Sequence, residues 1–98
     1  MSKFGELITS KNPVLLDFHT TWNSEHDEME AVLLDVASAL GDKARIIKID
    51  IDKNKELSEA LRIKNVPTFI IYKDGEMKWR QSGDQKAETL INRVRDYS

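Results

Sequence analysis

Three short stretches of the chain are almost continuously hydrophobic. They cover residues 14–18, 46–51 and 68–72 and are rich in Val, Leu, Ile and aromatic residues. A strand that is covered on both faces has an apolar run of this length, whereas a strand with one wet face alternates polar and apolar residues. The pattern therefore predicts three strands, of which the second is interrupted by Lys48 and Asp50.

Other hydrophobic residues recur every three or four positions, the spacing typical of a helix with one apolar face. This spacing predicts a short helix over residues 2–9 and a longer helix from about Ser24 to Gly41. Asn54 is placed to cap a third helix, and a fourth helix follows Gly83. The predicted inward-facing residues are Phe4, Leu7 and Ile8; Met29, Leu33, Val36 and Leu40; Leu57, Ala60 and Leu61; and Leu90, Ile91 and Val94.

The order of these elements predicts how the sheet is built. Asp74-Gly75 between two β-prone runs is a strong hairpin signal, so residues 77–81 are expected to pair antiparallel with residues 68–72. A strand, a helix and a second strand joined in this way form a parallel pair with a right-handed crossover. We therefore predict one α/β domain over residues 1–98. Its mixed four-stranded sheet combines a parallel pair with an antiparallel hairpin and has helices on both faces.

The composition excludes several classes of function. The 98 residues carry a net charge of −2 and no basic stripe, so nucleic acid is not an expected partner. No apolar run approaches the length of a membrane span and residues 1–10 do not look like a signal peptide, so we expect a cytoplasmic location and no membrane partner. The absence of cysteine removes disulfides, thiolate metal sites and thiol catalysis together. No cofactor is expected.

Asp17 in the first predicted strand, Trp22 before the long helix and Pro67 ahead of the third strand form an ordered set, which the Asp-Gly hairpin and Gly83 continue. This set resembles the active-site region of the thioredoxin family. In that family an aspartate-bearing strand is followed by Trp-Cys-x-x-Cys at the start of a helix, and a cis-proline precedes a later strand. The resemblance covers roughly residues 4 to 95 and implies a thioredoxin-like fold. Because the first predicted helix starts near residue 2, we expect the family's extra N-terminal strand to be absent.

Asn23 and His26 occupy the two cysteine positions of the motif. The resemblance implies that the first of these positions holds the nucleophile of thiol–disulfide exchange. Neither asparagine nor histidine forms a thiolate or a mixed disulfide, so the resemblance indicates a redox-inactive domain. Asn23 and Ser24 instead suit the cap of a helix whose first turns carry acidic residues, which the helix dipole favours.

Asp17 and Lys48 are a second retained feature of the motif. Asp17 follows three apolar residues, so its carboxylate is expected to be buried, which is costly unless the group is paired or hydrogen-bonded. Lys48 matches the lysine that lies beside this aspartate in thioredoxins. The resemblance implies that the aspartate relays protons to the second cysteine, which is missing here. We therefore interpret Asp17 and Lys48 as a retained structural pair.

Two alternatives would keep some chemistry in the site. His26, Glu25 or Asp17 could supply acid–base groups to a non-thiol enzyme, or His26 could bind a metal ion. A hydrolase would also need a nucleophile and an oxyanion site, and a metal site would need three or four convergent ligands. The sequence contains no clear example of either set, so no catalytic or metal-binding residue is assigned.

Trp22, Val66 and Pro67 correspond to the peptide-binding surface of the family. The resemblance implies that the backbone beside a cis Val66-Pro67 bond pairs with an extended substrate, while the tryptophan supplies an apolar wall. Such binding does not need thiols. We therefore expect a domain that binds a protein or an extended peptide, and the alternative is a purely structural role for Trp22 and Pro67.

Overall fold

The computed structural model describes residues 3–20 and 25–98, with the side chains of residues 25–27 excepted. Its helices are α1 (Lys3–Ile8), α2 (Glu25–Leu40), α3 (Lys55–Ala60) and α4 (Ala87–Asp96), with a turn of 3-10 helix at Gly41–Lys43. Its strands are β1 (Val14–His19), β2 (Arg45–Asp50), β3 (Thr68–Lys73) and β4 (Glu76–Ser82). In the described part of the chain, no helix is long and apolar enough to span a membrane.

The four strands form one mixed sheet in the order β2-β1-β3-β4. β1 runs parallel to β2 and antiparallel to β3, and β3 and β4 form the hairpin. The hairpin turns at Asp74 and Gly75, whose φ angles are 54° and 79°. Positive φ at both central positions is the conformation that Asp-Gly favours in two-residue hairpin loops. The predicted mixed sheet is therefore confirmed.

Helices cover both faces of the sheet, and each face has its own hydrophobic core. α2 and α4 pack on one face, and α1 and α3 pack on the other. Because both faces are covered, Val14, Leu15 and Leu16 are all fully buried, which accounts for their continuous apolar run. The core under α2 and α4 includes Leu15, Met29, Leu33, Val36, Leu40, Phe69, Ile71, Leu90 and Val94; the other includes Ile8, Val14, Leu16, Phe18, Ile49, Ile70 and Tyr72.

Two details of α3 correct the sequence prediction. Asn54 occupies the N-cap position without a side-chain cap hydrogen bond, and its Nδ2 donates instead to the C=O of Asp50 at 2.9 Å. Asparagine side chains can satisfy nearby backbone groups in either way, and here the carbonyl at the end of β2 takes the donor. Ala60 is exposed rather than inward-facing, and α3 contacts the core through Leu57 and Leu61.

Candidate functional site

Asp17 lies in the middle of the sheet, near the carboxyl end of β1. It is 1% exposed, which confirms the expected burial. The strand register places it between Lys48 of β2 and Phe69 of β3. Alternation along β1 puts its side chain on the same face as Leu15, the face that α2 and α4 cover. A carboxylate in such surroundings is costly to desolvate, so its partners determine whether it is tolerated.

Lys48 connects this part of the sheet to the first turns of α2. Its Nζ forms a salt bridge with Glu30 Oε1. The two side chains are 38% and 42% exposed, so solvent screens the pair and its contribution to stability is modest. The family resemblance predicts that Lys48 lies beside Asp17, and the strand register confirms it. Glu30 was not predicted as the salt-bridge partner of Lys48, because no local sequence pattern joins the two residues.

Pro67 opens β3 at the same end of the sheet. The Val66–Pro67 peptide bond is cis, as predicted. Pro67 is buried, and its C=O accepts a hydrogen bond from the N–H of Gly83 at 2.8 Å. Val66 is half-buried and precedes the β3 ladder. Within the described part of the chain, neither its N–H nor its C=O forms a hydrogen bond.

A buried threonine fixes the approach to this proline. Thr68 is fully buried, and its Oγ1 donates to the C=O of Asn65 at 2.5 Å. The same hydroxyl lies 3.0 Å from the Ser82 hydroxyl at the end of β4. The backbone on both sides of Val66 and Pro67 is therefore fixed to the edge of the β3–β4 hairpin.

Arg80 of β4 holds the other end of the loop between α3 and β3. Its guanidinium donates to the C=O of Leu61 at 2.5 Å and to the C=O of Arg62 at 2.9 Å. These carbonyls follow the last turn of α3, where backbone acceptors lack helical partners. Sequence reasoning missed Arg80, because an exposed-looking charge on a hairpin strand carries no signal of a contact 18 residues away.

The end of α3 has a defined local structure. Arg62 has φ of 55°, its N–H bonds to the C=O of Glu59, and the N–H of Ile63 bonds to the C=O of Ser58. This is the hydrogen-bond pattern of a Schellman motif with a left-handed residue after the C-cap. The helix therefore ends at a fixed point, which sets the start of the loop that leads to Val66.

Several residues singled out in the sequence lie outside the described parts of the chain. Trp22 and Asn23 are among them, and for Glu25 and His26 only the helical backbone is described. Among the described side chains, no three histidine, aspartate or glutamate residues are grouped as metal ligands. An open depression on the surface is lined by residues 52–57 and contains none of the residues proposed for the site.

Comparisons with known proteins agree with this geometry. Residues 1–96 match the thioredoxin family model. The chain is 38% identical over 90 residues to the chloroplastic thioredoxin Y1 of Arabidopsis thaliana, covering 92% of this chain and 52% of that protein. It is 33% identical over 94 residues to a thioredoxin-like protein of Synechocystis, covering 95% of this chain and 90% of that one.

The fold comparison gives the same family of structures. A thioredoxin variant from Halobacterium salinarum superposes with a TM-score of 0.87 at 27% identity, covering 99% of this chain and 84% of that one. The chain spans about half the length of the plant thioredoxins it matches, at 52% and 56% of their sequences. These similarities identify the fold.

Proposed function

This chain belongs to the thioredoxin family, and from that premise we propose that it binds an extended polypeptide beside Pro67 without exchanging thiols. The 98 residues contain no cysteine. Thiol–disulfide exchange requires a thiolate that attacks a disulfide sulfur and forms a mixed disulfide. Asn23 and His26, at the positions of the family's cysteines, supply neither the nucleophile nor the resolving thiol.

The observation that carries the proposal is the free backbone of Val66. Its N–H and C=O have no hydrogen-bond partner in the described part of the chain, and the residue is half-buried at the end of the sheet. An extended peptide that pairs with such groups adds a strand to the domain, and its side chains then reach neighbouring pockets. Backbone pairing of this kind does not depend on a thiol.

The surrounding bonds support the proposal because they hold the loop in one arrangement before a ligand arrives. The bond from Thr68 to Asn65 spans Val66, and Arg80 fixes the start of the loop at the end of α3. A site that is already ordered loses less conformational entropy on binding than a mobile loop would. By its resemblance, Trp22 would supply the apolar wall of the groove.

The proposal can be tested with an unfolded polypeptide whose own thiols are blocked, such as reduced, carboxymethylated α-lactalbumin. It would be titrated into ¹⁵N-labelled protein and followed by NMR. We expect amide shifts to change at Val66, Thr68 and Gly83. Val66→Pro removes the backbone donor, whereas the matched control Val66→Ala keeps it. Loss of the donor should weaken binding by about tenfold or more, and the alanine variant should change affinity by less than about threefold.

Trp22→Ala provides an independent test of the apolar wall. It should weaken the same interaction without moving the shift changes away from Val66. Saturable binding that leaves the Val66 region unperturbed would contradict the proposal. Equal affinities of the proline and alanine variants would contradict it as well, since the backbone of Val66 would then play no part.

A further inference from the structure

The second feature of this molecule that offers a binding surface is the outer edge of β2. Among the described strands, β2 pairs only with β1 and stands at the end of the sheet. A strand edge carries backbone donors and acceptors that a further strand can use. This edge is separate from Val66, which lies beyond β1 at the start of β3.

The hydrogen bonds to β1 show which groups of β2 point outward. The N–H of Arg45 donates to the C=O of Pro13, and the N–H of Ile51 donates to the C=O of His19, each at 3.0 Å. In a strand, successive residues direct their backbone groups to opposite sides. The N–H and C=O of Ile46 and of Lys48 therefore point away from β1. The outward C=O of Asp50 is already occupied by Asn54 Nδ2.

The opposite edge of the sheet is less suited to pairing. β4 shifts its register between Ile71 and Tyr72 of β3, so that Met77 faces Tyr72, Trp79 faces Ile71, and Lys78 is the extra residue. Such a bulge bends the strand and interrupts the row of donors and acceptors along its edge. The regular edge of β2 has no bulge in its pairing with β1.

We propose that two copies of this chain associate through their β2 edges, antiparallel and related by a two-fold axis at Ile47. In this register Ile46 of one copy lies opposite Lys48 of the second copy, and the reverse. Because residues with outward backbone groups then face each other, these two pairs form four hydrogen bonds. These four bonds use only the outward backbone N–H and C=O groups of Ile46 and Lys48.

Neighbouring registers are less favourable for reasons that the structure supplies. An axis at Lys48 would place two lysines directly opposite each other, which is destabilising. An axis at Ile49 would require the C=O of Asp50, which Asn54 occupies. An axis at Ile46 would require Ala44, which precedes the strand and is only 8% exposed.

The side chains of the chosen register are compatible with a second copy. Ile47 is partly buried on the α3 face and would lie opposite Ile47 of the second copy, extending the core that contains Ile49. Lys48 would lie opposite an isoleucine, and its ammonium is already paired with Glu30 of its own chain. The strand is therefore complementary to itself, which is what a two-fold interface requires.

The test is sedimentation equilibrium combined with amide hydrogen exchange. Four hydrogen bonds and one apolar contact make a small interface, so the measurement should run from about 10 µM to about 1 mM. We expect the weight-average mass to rise toward that of a dimer. Over the same range, exchange should slow at the amides of Ile46 and Lys48.

Two substitutions at one position separate the backbone from the side chain. Lys48→Pro removes the outward N–H while leaving the N–H groups that bond to β1, so the dimer would lose two of its four hydrogen bonds. We expect its dissociation constant to rise by about tenfold or more. Lys48→Ala removes the same salt bridge to Glu30 and keeps the N–H, and it should change dimerisation by less than about threefold.

Three results would overturn the proposal. The wild-type chain could sediment as a monomer throughout the range. The proline and alanine variants could dimerise equally, which would place the contact elsewhere. The amides of Ile46 and Lys48 could be protected independently of concentration, which would mean that a segment of the same chain covers the edge. If the proline variant does not fold, the exchange measurement on the wild-type protein still decides the question.

Discussion

Arg80→Ala tests how the loop that leads to Val66 is held in place. Arg80 is half-buried, and its two guanidinium donors bond to consecutive carbonyls at the end of α3. Removing the side chain leaves both carbonyls without these donors. The loop would then be attached to the end of β4 through the hydroxyls of Thr68 and Ser82 and the bond from the N–H of Gly83 to the C=O of Pro67.

The expected loss of stability follows from the two bonds. A hydrogen bond in a protein contributes roughly 0.5–1.5 kcal/mol net, and one with a charged partner roughly 1.5–3 kcal/mol. Arg80 is only half-buried, and water can reach part of the vacated site, so about 1 kcal/mol for each of the two bonds, within the range for neutral partners, is the better basis. We therefore expect a loss of about 2 kcal/mol in the free energy of unfolding. For a domain of this size, that lowers Tm by roughly 8–16 °C.

Urea and thermal unfolding followed by circular dichroism would measure this loss. Arg95→Ala is the matched control, because Arg95 is an exposed arginine on α4 whose side chain forms no hydrogen bond or salt bridge with the described residues. Its effect should stay within about 0.5 kcal/mol. If Arg80→Ala and Arg95→Ala destabilise equally, the two hydrogen bonds do not hold the loop as argued. Arg80→Lys should fall between wild type and alanine, because a lysine can reach at most one position of the fork.

Two further predictions concern pH and the lost thiols. Burial raises the pKa of Tyr72 above 10.0, and the positive charge of Arg80 partly offsets that rise. The folded state therefore holds the phenol proton more tightly, so this contribution to stability is complete below pH 10 and is lost as pH rises through the folded pKa. Between about pH 8 and pH 11, the melting temperature should fall less for Tyr72→Phe than for wild type. Equal decreases would show that Tyr72 does not cause the loss of stability at alkaline pH. The double change Asn23→Cys and His26→Cys should confer disulfide-reducing activity in an insulin assay with dithiothreitol, because two cysteines at this spacing match the family motif. The activity should be weak, because the acidic first turns of α2 disfavour a thiolate. The unmodified protein is the control, and activity above background in that control would refute the inference that a chain without cysteine is redox-inactive.

The sheet and its two cores could be predicted from the sequence because burial on both faces leaves a direct pattern. Val14, Leu15 and Leu16 cannot alternate with polar residues when helices cover both sides of β1. The hairpin could also be predicted, because Asp-Gly favours the positive φ angles that a two-residue hairpin loop requires and that Asp74 and Gly75 adopt. The hydrogen-bond partner of Asn54 was harder to predict, because the same side chain can cap a helix or donate to a strand carbonyl. The position of the Asp50 carbonyl in the fold decides between these two roles.

The position of a site residue could be predicted only where its neighbours in the sequence or its place in the family motif indicate it. Asp17 could be placed in the core from its apolar neighbours. The family resemblance placed Lys48 beside it, and the strand register confirms that position. The partnership of Lys48 with Glu30 joins a strand to a helix, and neither residue's local pattern reveals it. Arg80 was missed for the same reason: its importance comes from two carbonyls that the topology brings to β4.

These contacts fall into two separate groups. Asp17 is buried in the sheet, and its neighbour Lys48 is joined to Glu30 of α2. The backbone around Val66 is held by different bonds, from Arg80 to the end of α3, from Thr68 to Asn65 and from Gly83 to Pro67. None of these bonds involves residue 23 or residue 26. The absence of cysteines at these two positions therefore leaves every described bond that shapes the backbone around Val66 in place, which is why the proposed peptide binding does not depend on thiol chemistry.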